Sequence, residues 1–241
     1  DSGHILFPLS MESAMKHLVD VRNFYVICTR PKDLKAKYAR KWGKRVTFVH
    51  QSTVGFSFKK IQSVIQAVVD AKITRVTGQE STNSFQKELQ RKTGWYLQQL
   101  AKFYAGTVLK LDDYVVLDAD IVWHKDVPLI DRSLTAERIP NLNRYLYAYS
   151  TQVHPAYAST MRQLLDIEAT PGKHMSGIVH HIVVVKEVME GIRGKVEAKH
   201  GLPLWQAMLN VSANRARFLF PSAELSASAP PPGSKGSGTD L

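Results

Sequence analysis

The stretch that most constrains the fold is a short apolar run followed by two aspartates. Residues Tyr114–Leu117 read YVVL and are rich in β-branched side chains. This pattern predicts a strand buried on both faces, with Asp118 and Asp120 at its carboxyl end. Because side chains alternate along a strand, both carboxylates should point to one side and Ala119 to the other.

Two carboxylates in this position predict a site for a divalent cation. Hard cations such as Mn²⁺ and Mg²⁺ bind carboxylate and phosphate oxygens together. Ligands of open α/β sheets bind at the carboxyl ends of strands. We therefore expect Asp118 and Asp120 to hold the metal on the diphosphate of a nucleotide. The alternative is that a short acidic pattern marks a solvated loop, although a half-buried acidic pair would repel itself without a compensating function.

The order of predicted elements indicates the α/β class. Strands are predicted at Ile5–Pro8, Phe24–Cys28 and Val46–His50, with helices at Met11–Val19 and from Pro31 onward. This βαβαβ opening predicts a single Rossmann-like domain with a mainly parallel central sheet flanked by helices. The sequence contains neither a Gly-x-Gly-x-x-Gly nor a Gly-Lys-Ser/Thr loop, which disfavours dinucleotide-binding folds and P-loop kinases.

The central part of the chain predicts a core helix, a loop and a helix before the aspartates. Apolar residues from Phe58 to Val69 recur at helical spacing, and the polar stretch between Thr74 and Ser84 predicts a surface loop or lid. Thr93 is a predicted N-cap of the next helix, and Ile121–Trp123 are predicted to continue the strand. The remaining predicted elements are strands at Tyr145–Thr151 and Ser176–Val185 and helices at Tyr157–Ile167, Lys186–Ile192 and Leu204–Leu209.

Two adjacent histidines interrupt the last predicted strand. The side chains of His180 and His181 must point to opposite faces of it. One of them can therefore serve a site while the other is buried or paired elsewhere, and we favour His180 for the site. The alternative is that both are satisfied core histidines.

The length and composition predict one globular domain. The chain has 241 residues, of which 44% are hydrophobic and 22% charged, enough for a single substantial core. We predict an α/β domain over residues 1–225 and a disordered tail over residues 226–241, because the tail is rich in Ala, Ser, Pro and Gly. The single cysteine, Cys28, excludes an intramolecular disulfide and a cysteine-based zinc site.

No targeting or membrane-spanning segment is visible in the sequence. No apolar run approaches the length of roughly 18 residues that crosses a bilayer, and no signal peptide is recognisable. Because the sequence begins at Asp1 rather than methionine, we expect that an anchor or targeting segment could be missing.

The formal net charge of +11 predicts an anionic partner. A nucleotide diphosphate, an anionic membrane surface and a nucleic acid all fit this charge. Basic residues concentrate in Arg30–Arg45 and around Lys87–Lys92. The plainer interpretation of both patches is a solvated helix face.

The residues before and within the Asp-x-Asp stretch resemble nucleotide-sugar glycosyltransferases of the GT-A fold. More narrowly, they resemble a group that has a Gly-Trp-Tyr-x-Gln-Gln helix before the Asp-x-Asp strand. The resemblance is concentrated in Thr93–Pro128 and extends more loosely into later segments. The residues that carry it are Gly94, Trp95, Tyr96, Gln98, Gln99, Lys102 and Leu117–Asp120, with residues 154–157, 176–184 and 201–205.

The resemblance implies a metal-dependent hexosyl transfer from a UDP- or GDP-sugar to an acceptor hydroxyl. It leaves open whether configuration is retained and whether the acceptor is a glycan, a lipid, a protein or a nucleic acid. It also implies that a late histidine, His180 or His181, completes a metal site begun by Asp118 and Asp120. The implied donor contacts are Trp95, Gln98, Gln99, Lys102 and Asp118, with Pro8, Leu9 and Ser10 at the base or ribose.

The implied catalytic residues are Asp120, Lys102 and Glu224. The resembled group often carries an acidic Ser-Glu-Tyr-like segment after the late helix, where this chain has Pro221–Leu225 (PSAEL). Glu224 is then a remnant of that segment. If the acidic residue holds or deprotonates the acceptor, the departure weakens the case for activity more than the case for nucleotide-sugar binding.

Two other functions fit parts of the sequence. Asp118-Ala119-Asp120-Ile121-Val122 matches the nucleophile motif of haloacid-dehalogenase-type phosphatases, although that motif normally lies near the start of its domain. A basic nucleic-acid-binding module would explain the net charge and predicts strong dependence of binding on salt. It does not explain an acidic pair at a strand end.

Overall fold

The computed structural model describes residues 3–76, 83–130, 145, 155–167 and 180–213. Within these residues the chain is mainly helical, with short strands and two 3₁₀ turns at Gly43–Arg45 and Gln51–Val54. The helices are α1 (Gly3–His17), α2 (Pro31–Trp42), α3 (Phe58–Val76), α4 (Asn83–Leu109), α5 (Pro155–Leu165), α6 (Lys186–His200) and α7 (Leu204–Ala213). The strands are β1 (Phe24–Cys28), β2 (Val46–His50), β3 (Asp113–Leu117) and β4 (His181–Val185).

The strands form two separate pairs in the described part of the chain. β1 and β2 are parallel, with Cys28 opposite His50 at their shared carboxyl end. β3 and β4 are antiparallel, with Leu117 opposite His181. The mixed α/β class is therefore confirmed. A central, mainly parallel sheet is not shown by the described residues, because the strand that pairs with β3 runs in the opposite direction.

The first predicted strand is wrong, because Ile5–Pro8 lies inside helix α1. Phe7, Met11, Ala14 and Leu18 recur at helical spacing and contribute to the core that α1 forms with α2 and the first strand pair. Burial of this apolar stripe outweighs the cost of Pro8 within the helix, where proline lacks a backbone N–H. The chain therefore opens as αβαβ rather than βαβαβ.

The core around β1 and β2 is largely aromatic. Trp42, which is 5% exposed, stacks on Tyr38 at a centroid distance of 4.4 Å. The edge of Phe7 meets the same indole at 5.7 Å, and Phe48 stacks on it at 6.1 Å. Partly buried side chains from the end of β3 and the segment after it pack against this cluster, namely Leu117, Trp123 and Val127.

A second core lies among helices α3, α4 and α7. Ile61, Ile65, Leu100 and Leu209 are fully buried there. Trp205 is buried in the same cluster, where its ring meets that of Phe56. A third cluster joins α5, α6 and α7 around Val196 and Leu204.

The predicted N-cap at Thr93 is wrong, because α4 already begins at Asn83. Thr93 is fully buried in mid-helix. Its hydroxyl donates to the Leu89 carbonyl at 2.7 Å, so it bonds one turn back instead of capping a helix start. Of the loop predicted between Thr74 and Ser84, residues 74–76 belong to α3 and residues 83–84 to α4, and residues 77–82 lie outside the described part.

The strand predicted to continue through Ile121–Trp123 ends at Leu117 instead. Ala119 and Asp120 form a turn. β3 is half-buried throughout rather than buried on both faces. In the described part of the chain, the segment after Asp120 bonds to α1 and to Asp20 instead of extending the β3–β4 ladder. The Trp123 N–H, for example, donates to Ser13 Oγ at 3.0 Å.

The other described elements agree with the sequence. β1, β2, β3 and the later part of the last predicted strand are confirmed, as are α2 with Pro31 at its start and the helices α3, α5, α6 and α7. Tyr145 makes an isolated antiparallel bridge to Ile130, and residues 146–151 lie outside the described part. So do residues 176–179, 221–225 and the predicted tail. No described helix is both long enough and apolar enough to cross a membrane.

Candidate functional site

The antiparallel pairing of β3 and β4 brings Asp118 and His180 together. In such a pair, the residue that follows one strand lies beside the residue that precedes the other. The Asp118 N–H donates to the His180 carbonyl at 3.0 Å, one step beyond the Leu117–His181 pair. The backbone therefore fixes two predicted site residues next to each other although they are distant in sequence.

Helix α4 is held close to β3 by Tyr114. A Cβ atom on Gly106 would lie 2.5 Å from Tyr114 Cε1, so only glycine leaves room for this ring. The Tyr114 hydroxyl donates to the Lys102 carbonyl at 2.8 Å. Burial raises the pKa of Tyr114, which keeps the hydroxyl protonated and able to donate. Tyr114 therefore positions the turn of α4 that carries Lys102.

Lys102 and His180 contact different oxygens of the Asp118 carboxylate. Lys102 Nζ donates to Oδ1 at 2.7 Å, and His180 Nδ1 lies 3.3 Å from Oδ2. The side chains of Lys102 and Asp118 are 25% and 27% exposed, while that of His180 is 80% exposed. We call these three residues the Asp118 cluster. The half-buried carboxylate has a cationic or polar partner on each oxygen, and the cluster is open to solvent on the histidine side.

Asp120 lies exposed in the turn after β3. Because β3 ends at Leu117, the strand alternation that predicted a common direction for Asp118 and Asp120 does not extend to them. In the described ranges, no group of three or more His, Cys, Asp or Glu side chains is close enough together to hold a metal ion. Mg²⁺ bound with a phosphate needs only one or two carboxylates from the protein. The donor set therefore suits a metal carried with a nucleotide better than a bare ion.

His181 lies away from the Asp118 cluster. Its ring packs against Trp123 with centroids 5.0 Å apart. Burial, and secondarily the neighbouring His180, lower the pKa of His181, so its neutral form is favoured. Of the two candidate histidines, His180 is the one that the structure places beside Asp118. The contact also shows Trp123 packing against β4.

The predicted donor-binding face of α4 is its solvent face. Trp95 is 39% exposed, Gln98 is exposed and Gln99 is half-buried. The opposite face of the helix buries Leu100 in the core. Residues three and seven positions after Trp95 follow the same side, so this face leads from Trp95 past Gln98 to Lys102.

The residues predicted to contact the nucleoside are not at a strand end. Pro8, Leu9 and Ser10 lie within α1, where Leu9 is 48% exposed and Ser10 is buried. That prediction followed from the wrong first strand. Glu224 lies outside the described residues.

No local pattern indicated that α1 and Asp20, three positions beyond it, would hold the segment from Trp123 to Ile130. The Asp20 carboxylate accepts from the N–H groups of Leu129 and Ile130 at 2.8 and 3.2 Å. These contacts span about half of the chain, beyond the reach of local patterns. The other contacts are Trp123 N to Ser13 Oγ, Asp126 Oδ1 to His17 Nδ1 and Val127 N to the His17 carbonyl.

The fold and the site define a mixed α/β protein. At the end of its antiparallel strand pair, an aspartate contacts a lysine and a histidine. The chain belongs to DUF6492, a family of unknown function, whose model matches residues 26–218. No curated protein matches the chain. No solved structure matches it either. The matched range contains the whole Asp118 cluster and begins after α1.

Proposed function

We propose that this chain is a metal-dependent glycosyltransferase that moves a hexosyl group from a UDP- or GDP-sugar to an acceptor hydroxyl. The observation that carries the proposal is the Asp118 carboxylate at the end of β3, in contact with Lys102 and His180. Asp120 follows two residues later. Lys102 and Asp118 both lie in the stretch of sequence that resembles GT-A glycosyltransferases.

Asp118, Asp120 and His180 are the residues that would hold the metal. Carboxylate oxygens and an imidazole nitrogen suit Mn²⁺, and carboxylate oxygens together with phosphate suit Mg²⁺. When bound, either ion supplies a Lewis acid that stabilises negative charge on the leaving diphosphate. His180 is mostly exposed, so its ring can turn toward a ligand at Asp118 without disturbing the core.

Lys102 supplies the second positive charge of the proposed donor site. Its ammonium neutralises Asp118 at 2.7 Å, so a diphosphate bound beside Asp118 would come within reach of the same ammonium. Trp95, Gln98 and Gln99 offer an aromatic face and amide groups along the same helix for donor-sugar and ribose hydroxyls. These roles follow from the resemblance and from the solvent-facing side of α4.

The proposed reaction exchanges one carbon–oxygen bond for another. The bond between the anomeric carbon and the diphosphate oxygen breaks, and the nucleoside diphosphate leaves with the electron pair. A bond forms between the anomeric carbon and the acceptor oxygen, whose proton passes to a base or to the leaving phosphate. Glu224 is the candidate for holding or deprotonating the acceptor if the reaction inverts configuration.

Calorimetric titration tests the donor site directly. UDP and GDP are titrated into the full chain with Mn²⁺ and, separately, with a chelator. We expect binding only with Mn²⁺. In the double variant Asp118→Asn and Asp120→Asn, affinity should fall at least about 30-fold, because loss of one partner of a close charge pair costs about 2–5 kcal/mol.

The matched control removes the same charge elsewhere. Asp112, just before β3, and Asp33 on α2 are both exposed, so Asp112→Asn with Asp33→Asn should leave nucleotide affinity within about twofold. Absence of nucleotide binding to the wild-type chain under every metal condition would refute the proposal. Hydrolysis of p-nitrophenyl phosphate that disappears in Asp118→Asn, without nucleotide binding, would instead support a phosphatase.

A further inference from the structure

Most of the surplus positive charge of the chain lies on and around α2. Residues Arg30–Arg45 contain eight basic side chains and one acidic side chain, Asp33. The whole chain carries a formal charge of +11. A surplus concentrated on one helix produces a local positive field rather than a diffuse one.

Some of these basic side chains hold the local structure together. Lys41 Nζ contacts Glu12 of α1 at 2.6 Å. The Arg45 guanidinium donates to the carbonyl of Val21 at 3.2 Å. Arg30 lies 3.7 Å from Asp33. These three basic residues are engaged with the protein and are not counted as a binding surface.

Five other basic residues are exposed on α2 or in the 3₁₀ turn that follows it, and we call them the α2 basic face. None of them has an acidic partner among the described residues. The buried side of the helix carries Tyr38 and Trp42 and faces the aromatic core. The α2 basic face consists of Lys32, Lys35, Lys37, Arg40 and Lys44.

Exposed leucines on α1 lie beside this helix. Leu6 and Leu9 are 40% and 48% exposed. They are three positions apart, and Glu12, which contacts Lys41 of α2, follows three positions later. Phe7 of α1 meets Trp42 of α2 with ring centroids 5.7 Å apart, so the two helices pack against each other. The helix next to the α2 basic face therefore carries exposed apolar side chains.

We propose that the α2 basic face binds an anionic phospholipid bilayer, with Leu6 and Leu9 entering its headgroup region. Anionic headgroups attract each Lys or Arg held near the surface. Nearby apolar side chains add burial at the boundary with the acyl chains. Single-stranded nucleic acid fits less well, because the aromatic rings of α2, Tyr38 and Trp42, are buried and cannot stack on bases. A duplex offers no partner for the exposed leucines.

Vesicle flotation tests the proposal on the full chain. Vesicles of phosphatidylcholine with roughly one third phosphatidylserine are compared with pure phosphatidylcholine at an ionic strength of about 0.15 M. We expect binding to the anionic vesicles only, weakening as salt increases. The triple variant Lys32→Gln, Lys37→Gln and Lys44→Gln should bind about a hundredfold more weakly, at about fivefold per residue.

A second triple variant that removes the same amount of charge distinguishes the effect of the α2 basic face from that of net charge. Lys59, Lys110 and Lys195 are exposed outside α2. Their change to Gln should leave vesicle affinity within about threefold, because charges away from the contact are screened over a Debye length. Thermal unfolding of both triple variants checks that each remains folded. If the two triple variants weaken vesicle binding equally, the proposal is overturned.

The leucines distinguish a bilayer from a nucleic acid. Leu6→Ser with Leu9→Ser should weaken vesicle binding and leave any binding to duplex DNA unchanged. Unchanged vesicle binding in this variant would overturn the proposed insertion. Binding of the wild type to duplex DNA as tightly as to anionic vesicles, at the same salt, would overturn the choice of a membrane partner. None of these outcomes depends on the proposed catalytic function.

Discussion

The two strand pairs both end in polar residues, yet only the end of the β3–β4 pair forms a candidate functional site. At the shared end of β1 and β2, Cys28 lies opposite His50. Burial, partly offset by a hydrogen bond from Arg30, raises the pKa of Cys28, so the thiol stays protonated. His50 Nδ1 is already 2.6 Å from Ser52 Oγ. The polar groups at this end are therefore satisfied by their own turn.

The end of β3 differs because a neighbouring helix supplies a charged partner. Lys102 of α4 reaches Asp118, and the antiparallel strand brings His180 to the other oxygen. Gly106 makes this possible by letting the Tyr114 ring lie against the helix. Polar residues at a strand end become a candidate site when a second element approaches closely enough to polarise them.

The largest effect is expected from the aromatic core that supports the β1–β2 pair. Trp42→Ala should lower the free energy of unfolding by about 3–5 kcal/mol, as expected for a buried aromatic ring. The control is Trp95→Ala on the solvent face of α4, which should change it by no more than about 1 kcal/mol. Denaturant unfolding measures both. Similar losses in the two variants would contradict the assignment of one indole to the core and the other to the surface.

A pair of glycine substitutions on α4 tests the approach of helix and strand near the Asp118 cluster. Gly106→Ala should destabilise by about 1–3 kcal/mol, because the new methyl group overlaps the Tyr114 ring. Gly94→Ala has open space and should stabilise by up to about 1 kcal/mol, since alanine is the better helix former.

Nucleotide affinity provides a second readout for the same pair. Gly106→Ala should also weaken the Mn²⁺-dependent binding proposed above, because Tyr114 positions Lys102. Gly94→Ala should leave it unchanged. A stabilising effect of Gly106→Ala would show that Tyr114 moves aside freely and does not hold the cluster.

The smallest effect concerns Cys28, at the end of the β1–β2 pair. A thiol whose pKa is raised in the folded state stabilises the fold fully below its ordinary value of 9.0, and this contribution is lost as pH rises through the folded-state pKa. The stability of the wild type should therefore fall relative to Cys28→Ala between neutral pH and about pH 10. Parallel pH profiles of the two proteins, from denaturant unfolding, would show that the thiol is not desolvated.

Local sequence signals sufficed to predict an element when boundary residues stand at both of its ends. Helix α2 begins at Pro31 and is followed by Gly43 at a φ of 62°, both recognisable boundaries. The first helix lacked such signals. Ile5–Phe7 is a short apolar run that suits a strand or a helix equally, and packing against α2 decided between them.

The position of Asp118 at the end of a strand was predictable, but its surroundings were not. Lys102 was predicted as a phosphate contact, and its contact with Asp118 depends on how α4 packs on β3. His180 is 62 residues further along the chain than Asp118, and it approaches Asp118 only because β4 pairs with β3. Local patterns do not specify the direction in which two distant strands pair. The sequence therefore identified members of the cluster without their contacts.

The contacts between α1 and the segment after the aspartates affect where the protein can be shortened. The family match begins at residue 26, whereas α1 ends at His17. A fragment cut to the matched range would leave the N–H groups of Trp123, Leu129 and Ile130 without the oxygens of Ser13 and Asp20 that accept from them. Buried amides without partners are costly. Crystallisation or expression fragments should therefore keep the leading helix and the residues just after it, even though the family's shared region excludes them.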